Sequence, residues 1–409
     1  MKNIIKNLKL KRRAIAHLAA MHFYGNPSAK LKVIGVTGTN GKTTTSTLLY
    51  KIATGLGHNS GLIGTVENRI GDESRVALKT TPSPINLNKL LTEMVEKGCD
   101  YVFIEVSSHA LDQKRVAGVN FTGGIFTNLT HDHLDYHKSI ENYFHAKKKL
   151  FQMLPNDAFA ISNTDDEHGK LMLENIKANK YSYGFSGGEN FHGEIFKLDF
   201  SGLELRFNNE NIKSKLLGKF NAYNLLSVWS ACKLLGFNME KVNKILEDIE
   251  PPTGRFQYIV SPSNVTFIVD YAHTPDALEN VLLTTREIKG EHSRVISVFG
   301  CGGDRDPLKR RIMGRVGAEL SDISIFTSDN PRSEDPMKII NEMKTDLSME
   351  LVKKVMINPD RREAIKEAVN IAKEGDIVMI LGKGHETYQE IKGVKNHFDD
   401  LEEIKKLIK

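Results

Sequence analysis

The chain alternates short apolar runs with amphipathic stretches over most of its length. In its first part, apolar runs that suit buried strands occur at Leu31–Val36, Tyr101–Val106, Gly124–Phe126 and Phe159–Ser162. Helical patterns follow or separate these runs, notably from about Lys42 to Leu56 and at Ile140–Leu154. Strands that alternate with helices predict a mostly parallel sheet with helices on both faces. Residues 192–217 alternate more strictly and predict a small antiparallel insertion.

The same alternation starts again after Pro251–Gly254, which has the composition of a linker and follows a predicted helix near Asn221–Leu235. The elements predicted beyond the linker are Val265–Val269, Ala277–Ile288, Val295–Phe299, Arg310–Leu320, Ile323–Thr327 and Ile377–Leu381. We therefore predict an α/β protein with three segments. They are a short basic segment over 1–30, a central domain over 31–252 and a C-terminal Rossmann-like α/β domain over 253–409.

The composition fits a globular chain with real cores, since 40% of the 409 residues are hydrophobic and 26% are charged. No apolar run approaches the roughly 18 residues of a membrane span, and the start lacks the pattern of a secretory signal. Cys99, Cys232 and Cys301 lie far apart in the sequence and form no metal or disulfide framework. This cysteine usage suits a reducing compartment, so we predict a cytoplasmic protein.

The net charge of +5 is distributed unevenly along the chain. Ten of the first 66 residues are Lys or Arg, and the first acid is Glu67, so the remainder carries 5 − 10 = −5. The basic start is either a solvated helix face or a contact surface for an anionic partner. Because the chain has one Trp and shows no zinc-finger or RNP pattern, we predict no nucleic-acid partner.

A glycine-rich segment, Thr37–Thr44, lies between a predicted strand and a predicted helix. Such a loop turns consecutive backbone N–H groups toward a phosphate, and the helix N-terminus adds positive potential. Lys42 would neutralise β- and γ-phosphate oxygens, and the Thr43 hydroxyl can bind Mg²⁺. The general P-loop pattern has Gly where this chain has Val36. The context still predicts a P-loop ATPase domain that binds ATP or GTP.

Acidic and histidine side chains follow two other predicted strands. Glu105 ends an apolar run, and Asn128–His137 contains three His and two Asp just after another. Ligands of parallel α/β sheets bind at these carboxyl ends of strands. Mg²⁺ prefers oxygen ligands, so one Glu and one imidazole make an incomplete site and a further anionic ligand is needed.

Together, Thr37–Thr44, Glu105–Leu111 and Asn128–His137 resemble the Mur ligases, ATP-dependent amide-forming enzymes of peptidoglycan synthesis. The resemblance spans residues 31–409 and is closest to the MurE branch, which adds the third residue of the stem peptide. It implies an ATP-binding loop of Gly38, Thr39, Asn40, Gly41, Lys42, Thr43 and Thr44. It also implies catalytic roles for Lys42, Glu105, His133 and Lys147.

The resemblance implies two Mg²⁺ ions, held by Thr43, Glu105, His133 and a carbamylated Lys147. In the family this lysine lies in an Ala-Lys step after a Tyr-His pair, which here is Ala146-Lys147. CO₂ on a neutral lysine amine yields a carboxylate, so a cation becomes a metal ligand. Lys148 and Lys149 follow directly, and the resemblance rather than spacing alone selects Lys147.

Further nucleotide contacts are implied downstream. Asn221 and Asn224 start a helix, where the family's asparagines bind adenine, although Asn is also a good helix cap. Arg255 lies in Thr253–Phe256, which resembles a hinge motif whose Arg contacts the nucleotide. Asp270 follows a strand in a motif that, in the family, closes on ATP from the C-terminal domain.

The resemblance also implies two substrate subsites. Thr80, Thr81, Ser107, His109 and Arg115 match contacts to the muramyl-peptide acceptor. Asp329-Asn330-Pro331-Arg332 matches the quartet of ligases that add meso-diaminopimelate, whose second carboxylate suits a bidentate guanidinium. Arg305, Gly382 and Glu386 would contact the same amino acid.

The expected function is therefore ATP-dependent ligation of meso-diaminopimelate to UDP-N-acetylmuramoyl-L-alanyl-D-glutamate through an acyl phosphate. Closure about Gly254-Arg255 would assemble the site and exclude water. Addition of L-lysine, glutamate addition to folate and a non-catalytic nucleotide-binding subunit remain as alternatives.

The family's N-terminal domain, which grips the UDP end of the acceptor, has no counterpart in the resemblance. Only 36 residues precede Thr37, too few for a domain with its own core. We expect either that Lys2–Lys32 forms a short basic helix that attracts the diphosphate, or that the UDP end is held weakly or by a partner. A different acceptor is a further alternative, and we expect a monomer.

Overall fold

The structure is a computed structural model that describes residue 11, residues 14–18 and residues 20–408. Much of the predicted basic segment lies outside the described residues, so its contact with the UDP end stays a prediction. The chain clusters into two compact units. The first runs up to Lys197 and continues through Gly202–Leu216 and Phe220–Glu250. The second contains Leu198–Ser201, Leu217–Lys219 and the chain from Pro251 onward.

An eleven-stranded sheet carries the first unit, in the order β11-β10-β9-β8-β7-β6-β1-β5-β2-β3-β4. Its strands are β1 Lys32–Thr37, β2 Ser60–Ile63, β3 Glu67–Ile70, β4 Glu73–Val76, β5 Tyr101–Glu105, β6 Phe121–Phe126, β7 Phe159–Asn163, β8 Asn179–Gly184, β9 Phe191–Asp199, β10 Gly202–Phe207 and β11 Glu210–Ser214. The pairs from β2 through β5, β1, β6, β7 and β8 to β9 are parallel. The predicted antiparallel insertion is confirmed, since β10 and β11 pair antiparallel.

Residues 14–18 and 20–23 are helical, and the further helices of this unit follow a 3-10 turn at Pro27–Lys30. They are α1 Lys42–Gly55, α2 Pro84–Glu96, α3 Ser108–Asp112, α4 Leu134–His137, α5 Ile140–Met153, α6 Gly169–Met172, α7 Lys219–Leu234 and α8 Met239–Asp248. Side-chain caps define several starts: the Ser83 hydroxyl accepts from Asn86 N at α2, and Ser139 does the same for Asn142 at α5. Within the described residues, no helix combines the length and apolar character that a membrane crossing requires.

Register brings the ends of three neighbouring strands to one level. Val36 pairs with Glu105, and Thr37 pairs with Phe126. The strands β1, β5 and β6 are almost wholly buried, as expected for parallel strands covered on both faces. The loop after β1, the carboxylate that ends β5 and the polar segment after β6 therefore meet at one edge of the sheet.

The second unit has a six-stranded sheet in the order β12-β13-β17-β14-β15-β16, beside a separate hairpin of β18 and β19. Its strands are β12 Gln257–Val260, β13 Thr266–Asp270, β14 Val295–Phe299, β15 Ile323–Phe326, β16 Val355–Ile357, β17 Ile377–Leu381, β18 Tyr388–Ile391 and β19 Val394–His397. Its helices are α9 Pro275–Ile288, α10 Leu308–Leu320, α11 Pro336–Lys344, α12 Met349–Val352, α13 Arg361–Ile371 and α14 Asp400–Leu407.

All pairs of the six-stranded sheet except β12–β13 are parallel. Asp270 pairs with Leu381, and Phe299 pairs with Phe326. The segments that follow β13, β14, β15 and β17 therefore leave the same edge of the sheet. The α/β class with a second, Rossmann-like unit is confirmed.

Candidate active site

The loop between β1 and α1 is held by the polar segment that follows β6. Thr39 N donates to the carbonyl of Asn128, and Asn40 N donates to the Asn128 side-chain oxygen, each at 2.8 Å. The Thr127 hydroxyl donates to the Asn40 carbonyl at 2.6 Å. These bonds fix the curved backbone before any ligand binds, so its remaining N–H groups are preorganised for a phosphate.

Two glycines of this loop have no room for a side chain. A Cβ at Gly38 would lie 1.8 Å from Thr127 Oγ1, and one at Gly41 would lie 2.5 Å from Asn224 Oδ1. Gly41 also has a φ of +84°, which favours glycine. Asn224 donates to Asn221 Oδ1 at 3.1 Å, and both side chains are buried. The two predicted adenine contacts thus lie together against the phosphate loop.

Two lysines converge on the carbonyl groups of the same loop. Lys42 Nζ donates to the carbonyls of Gly38 and Thr39 at 2.8 and 2.6 Å, and Lys147 Nζ donates to Gly38 at 2.5 Å. Lys147 is 1% exposed, and its Nζ lies 4.3 Å from the centre of the Tyr143 ring. Burial, with the charge of Lys42 nearby, holds the pKa of Lys147 well below its ordinary value.

The Glu105 carboxylate is held in place by three hydrogen bonds. Its Oε2 accepts from the Thr43 hydroxyl and from the Thr65 hydroxyl at 2.9 Å, and its Oε1 accepts from Thr65 N at 2.8 Å. The carboxylate is 1% exposed. A fixed carboxylate next to a threonine hydroxyl fits the oxygen preference of Mg²⁺.

His133 begins α4 with a φ of +54°, which turns the chain sharply at that point. Its Nε2 lies 3.4 Å from Asp132 Oδ2, and its ring centre lies 4.7 Å from that of His109. Partial desolvation and the nearby charge of His109 lower the pKa of His133 to about 4, so its imidazole is neutral near pH 7, as a metal ligand must be. In the described part of the chain, no three His, Cys, Asp or Glu side chains meet as a metal site.

The predicted acceptor contacts are joined through Thr81. Its hydroxyl donates to the Glu105 carbonyl at 2.7 Å and accepts from Ser107 N at 3.1 Å. Arg115 Nη1 donates to the Thr81 carbonyl at 2.8 Å. Thr81, Ser107 and Arg115 are therefore brought together directly beside the strand that carries Glu105.

The two remaining acceptor candidates border the same region. The hydroxyl oxygens of Thr80 and Thr65 lie 3.0 Å apart, within hydrogen-bond distance. The His109 ring lies 4.3 Å from the Tyr136 ring and 5.5 Å from the His137 ring. The His109 side chain thus joins an aromatic cluster that also includes His133.

In the second unit, Asp270 is buried where β13 ends. Its two oxygens accept from Phe256 N at 2.7 Å and Ala272 N at 2.8 Å. Burial raises the pKa of Asp270, and the charge of Arg255 opposes that rise. The Arg255 guanidinium lies 4.5 Å from the centre of the Tyr271 ring. Arg255 and Asp270, the two nucleotide candidates of this unit, are therefore neighbours.

The candidate amino-acid subsite is built from segments after β14, β15 and β17. Arg332 Nη1 donates to the Gly303 carbonyl at 2.7 Å. A Cβ on Gly302 would lie 2.9 Å from Arg332 Nη1 and 3.6 Å from Arg305 Cγ. The two predicted arginines therefore flank one short glycine segment, an arrangement that suits a carboxylate.

The acidic candidates lie against the loop after β17. A Cβ on Gly382, whose φ is +110°, would lie 2.6 Å from Asp329 Oδ2. Asn330 Nδ2 donates to Glu386 Oε2 at 2.8 Å. Asp329, Asn330, Gly382 and Glu386 thus form one connected group at the carboxyl edge of the sheet.

Two sequence families match the chain. The Mur ligase middle domain matches residues 36–232, and the Mur ligase glutamate ligase domain matches residues 254–384. The chain is 50% identical over 391 residues to a Cytophaga hutchinsonii protein named UDP-N-acetylmuramoyl-L-alanyl-D-glutamate–2,6-diaminopimelate ligase. That alignment covers 96% of this chain and 80% of the relative. The chain belongs to the Mur ligase family.

Solved structures support the same placement. A structure of UDP-N-acetylmuramoyl-L-alanyl-D-glutamate–2,6-diaminopimelate ligase is similar to this Mur ligase with a TM-score of 0.66 and 35% identity, over 92% of this chain and 78% of the other. Folylpolyglutamate synthase from Thermotoga maritima has a TM-score of 0.70 at 16% identity, over 92% and 90% of the two chains. The second likeness concerns the fold alone, so the fold does not distinguish the acceptors.

Sequence reasoning missed two residues that the site of this Mur ligase contains. Thr65 makes two hydrogen bonds to Glu105, but it follows the short strand β2, which the hydrophobic pattern did not predict. Lys383 contacts both Asn330 and Glu386 and has no exposed surface. Its position between Gly382 and Gly384 was a signal, since a lysine in a glycine turn after a buried strand can point inward.

Proposed function

We propose that this Mur ligase joins meso-diaminopimelate to the D-glutamyl carboxylate of UDP-N-acetylmuramoyl-L-alanyl-D-glutamate while it converts ATP to ADP and phosphate. The observation that carries the choice of amino acid is the placement of Arg332 beside Gly302 and Arg305. A guanidinium there can bind the second carboxylate of diaminopimelate, which L-lysine lacks. The name shared by relatives at about half identity agrees with this choice.

The reaction has two bond-forming steps. A glutamyl carboxylate oxygen attacks the γ-phosphorus of ATP, the bond to the β-phosphate oxygen breaks, and ADP leaves. The amine of diaminopimelate then attacks the acyl carbon, phosphate leaves, and the nitrogen loses a proton. In the first step Lys42 and the loop N–H groups would stabilise negative charge on the transferred phosphoryl group.

We assign the Mg²⁺ ligands to Thr43, Glu105, His133 and Lys147. Bound Mg²⁺ would neutralise charge on the phosphate oxygens. The neutral His133 imidazole is in the protonation state that a metal ligand requires, and the Glu105 side chain is buried at the end of its strand. The supporting contact for Thr43 is its 2.9 Å hydrogen bond to Glu105.

We also propose that Lys147 carries a carbamate in the active enzyme. Addition of CO₂ needs the neutral amine, and burial lowers the pKa of Lys147 in that direction. The amine nitrogen bonds to the carbon of CO₂ and releases one proton, which leaves an anionic carbamate. This group would supply the oxygen ligand that Glu105 and His133 alone do not.

The other assignments follow from the clusters described above. Asn221, Asn224, Arg255 and Asp270 would contact the nucleotide. Thr80, Thr81, Ser107, His109 and Arg115 would contact the acceptor, and Arg305, Asp329, Asn330, Arg332, Gly382 and Glu386 the amino acid. These assignments are supported by contacts, within each unit, between residues that were assigned the same role.

Phosphate release from ATP and Mg²⁺ tests this function. We expect release only when UDP-N-acetylmuramoyl-L-alanyl-D-glutamate and meso-diaminopimelate are both present. Lys42→Met should abolish release, while Lys51→Met, on the far part of the same helix, should retain it. Release that depends on a folate acceptor and glutamate would instead identify a folylpolyglutamate synthase.

A further inference from the structure

We infer that Lys383 is a positioning residue of the amino-acid subsite, which orients Glu386 toward the ammonium at the far end of the amino acid. The inference rests on the proposed function and extends it to a residue outside the predicted site. Lys383 lies just after β17 and has no exposed surface. Its Nζ lies 3.1 Å from Glu386 Oε2 and 3.3 Å from Asn330 Oδ1.

The three side chains form a closed set of hydrogen bonds. Asn330 Nδ2 donates to Glu386 Oε2 at 2.8 Å, which is the oxygen that Lys383 also contacts. Asn330 Oδ1 accepts from Lys383 and also from Glu390 N at 2.8 Å. Because each member is held by the other two, Glu386 is restricted to one orientation.

This arrangement leaves one carboxylate oxygen for a ligand. Both side-chain contacts fall on Oε2, and no hydrogen bond from the described residues reaches Glu386 Oε1. The Glu386 side chain keeps 17% of its surface exposed, whereas that of Lys383 keeps none. The ammonium of the amino acid can therefore approach Oε1 of Glu386, while Lys383 holds Oε2.

The position of Asn330 is itself fixed by the hairpin of β18 and β19. Gln389 Nε2 donates to the Asp329 carbonyl at 2.8 Å, and Arg332 N donates to the Glu390 carbonyl at 3.0 Å. The segment that carries Arg332 is thus bound to the hairpin on both sides of Asn330. Asn330 and Lys383 both donate to Glu386 Oε2, so together they set the spacing between the guanidinium and the carboxylate that would bind the two charges of the amino acid.

Because the Lys383 side chain is fully buried, its ammonium needs hydrogen-bond partners and an opposite charge inside the protein. A lysine with no exposed surface is retained only when its ammonium is paired and hydrogen-bonded. Removal of the ammonium would remove one of the two side-chain hydrogen bonds that hold Glu386 Oε2. We therefore expect Glu386 to turn toward solvent when Lys383 is replaced by an apolar residue.

The test is steady-state kinetics of Lys383→Met, with Lys395→Met as the matched control. Lys395 lies 4.1 Å from the Tyr388 ring, which Lys383 also approaches at 5.5 Å, but Lys395 is exposed. We expect Lys383→Met to raise the KM for diaminopimelate roughly tenfold or more. The KM for ATP and kcat should change less than about threefold, and Lys395→Met should behave like the wild type.

A double-mutant cycle with Glu386→Gln separates positioning from general destabilisation. In the Glu386→Gln background, Lys383→Met should change the KM for diaminopimelate by less than about threefold, because the residue it positions has lost its charge. An equal rise in both backgrounds, or an unchanged KM in Lys383→Met alone, would overturn the inference. If Lys383→Met does not fold, the double variant is measured instead, because it lacks the unpaired carboxylate. The ratio of its KM for diaminopimelate to that of Glu386→Gln then decides the test.

Wild-type phosphate release with diaminopimelate is measured first. Its absence would refute the proposed function, and the inference with it. Its presence with an unaffected KM in Lys383→Met would refute the inference alone.

Discussion

Lys147 is a buried amine that contacts the carbonyl of a phosphate-loop glycine. A permanently charged lysine in this position would repel both Lys42 and a metal ion. The lowered pKa removes that conflict and makes the amine reactive toward CO₂. The residue is thus better suited to carry a carbamate than to act as a cation.

Lys147→Ala should therefore abolish ligation, and a small carboxylic acid such as formate should restore part of the activity. The acid would place a carboxylate in the space left by the side chain. The measurement is phosphate release with and without formate. Lys148→Ala, the adjacent lysine that contacts the Leu171 carbonyl, is the control and should keep activity without formate. Full activity of Lys147→Ala would refute the carbamate assignment.

Thr65 fixes both oxygens of Glu105, through its backbone N–H and through its hydroxyl. Thr65→Val removes the hydroxyl while it keeps the shape and the N–H. We expect the Mg²⁺ concentration for half-maximal activity to rise roughly tenfold, as for other residues that orient metal ligands. A titration of activity against Mg²⁺ measures this change.

Thr92→Val is the matched control, because the Thr92 hydroxyl donates to the Asn88 carbonyl of its own helix. Its Mg²⁺ requirement should equal that of the wild type. An unchanged requirement in Thr65→Val would show that Glu105 needs no support from Thr65.

At the scale of elements, the second unit is tied together by an ion pair that has no exposed surface. Arg361 begins α13 and forms two hydrogen bonds to Asp400, at the start of α14, of 2.8 and 2.7 Å. The same guanidinium donates to the carbonyls of Ser328 and Leu381. These carbonyls lie directly before the segments that carry Arg332 and Glu386, so one side chain joins two helices to two loops of the subsite.

Arg361→Met should lower the free energy of unfolding by about 3–5 kcal/mol, because it leaves Asp400 buried without a partner. Arg362→Met is the control: its guanidinium pairs with Glu403, but its side chain is 54% exposed, so the loss should be about 0–1 kcal/mol. Urea unfolding of both variants measures the difference. Equal losses of unfolding free energy in the two variants would show that the buried ion pair stabilises the fold no more than the exposed one.

The strands whose bounds could be predicted from the sequence are buried on both faces: Val295–Phe299 and Ile377–Leu381 were predicted as observed. The helix predicted over Ala277–Ile288 ends at Ile288 as predicted but begins earlier, at Pro275. The hydrophobic pattern did not indicate β2, β3, β4 or the hairpin of β18 and β19. These strands are short, and several are exposed: Val76 at the edge keeps 85% of its surface. Exposed strands such as β4 and β19 leave little periodic signal, and β2, although buried, has four residues, too few to show a period.

The candidate site residues that could be predicted are those that lie in recognisable sequence motifs. The loop at Gly38–Thr44 could be predicted from residue type and context, whereas the quartet at Asp329–Arg332 was implied by the resemblance to the Mur ligases. The contacts of Thr65 and Lys383 could not, because they depend on register between segments that are distant in sequence. The order of motifs shows which segments belong together, and only the fold shows which side chain reaches into the site.

At the scale of the whole molecule, the fold does not determine the substrate. A folylpolyglutamate synthase matches this chain with a TM-score of 0.70, higher than the 0.66 of the diaminopimelate ligase. The difference between such enzymes must lie in the loops at the carboxyl edges of the sheets. In this chain those loops combine Arg332 and Arg305 with Glu386, which suits an amino acid that has a charged pair at its far end.

The most direct test of the account is a competition between amino acids. The purified protein would receive ATP, Mg²⁺ and UDP-N-acetylmuramoyl-L-alanyl-D-glutamate with equal concentrations of meso-diaminopimelate and L-lysine. Mass spectrometry would then identify the tripeptide product, because a carboxyl group replaces one hydrogen of lysine in diaminopimelate and the two products differ by the mass of CO₂. We predict that the product contains diaminopimelate almost exclusively. A product that contains mainly lysine would contradict the role of Arg332 and the proposed substrate.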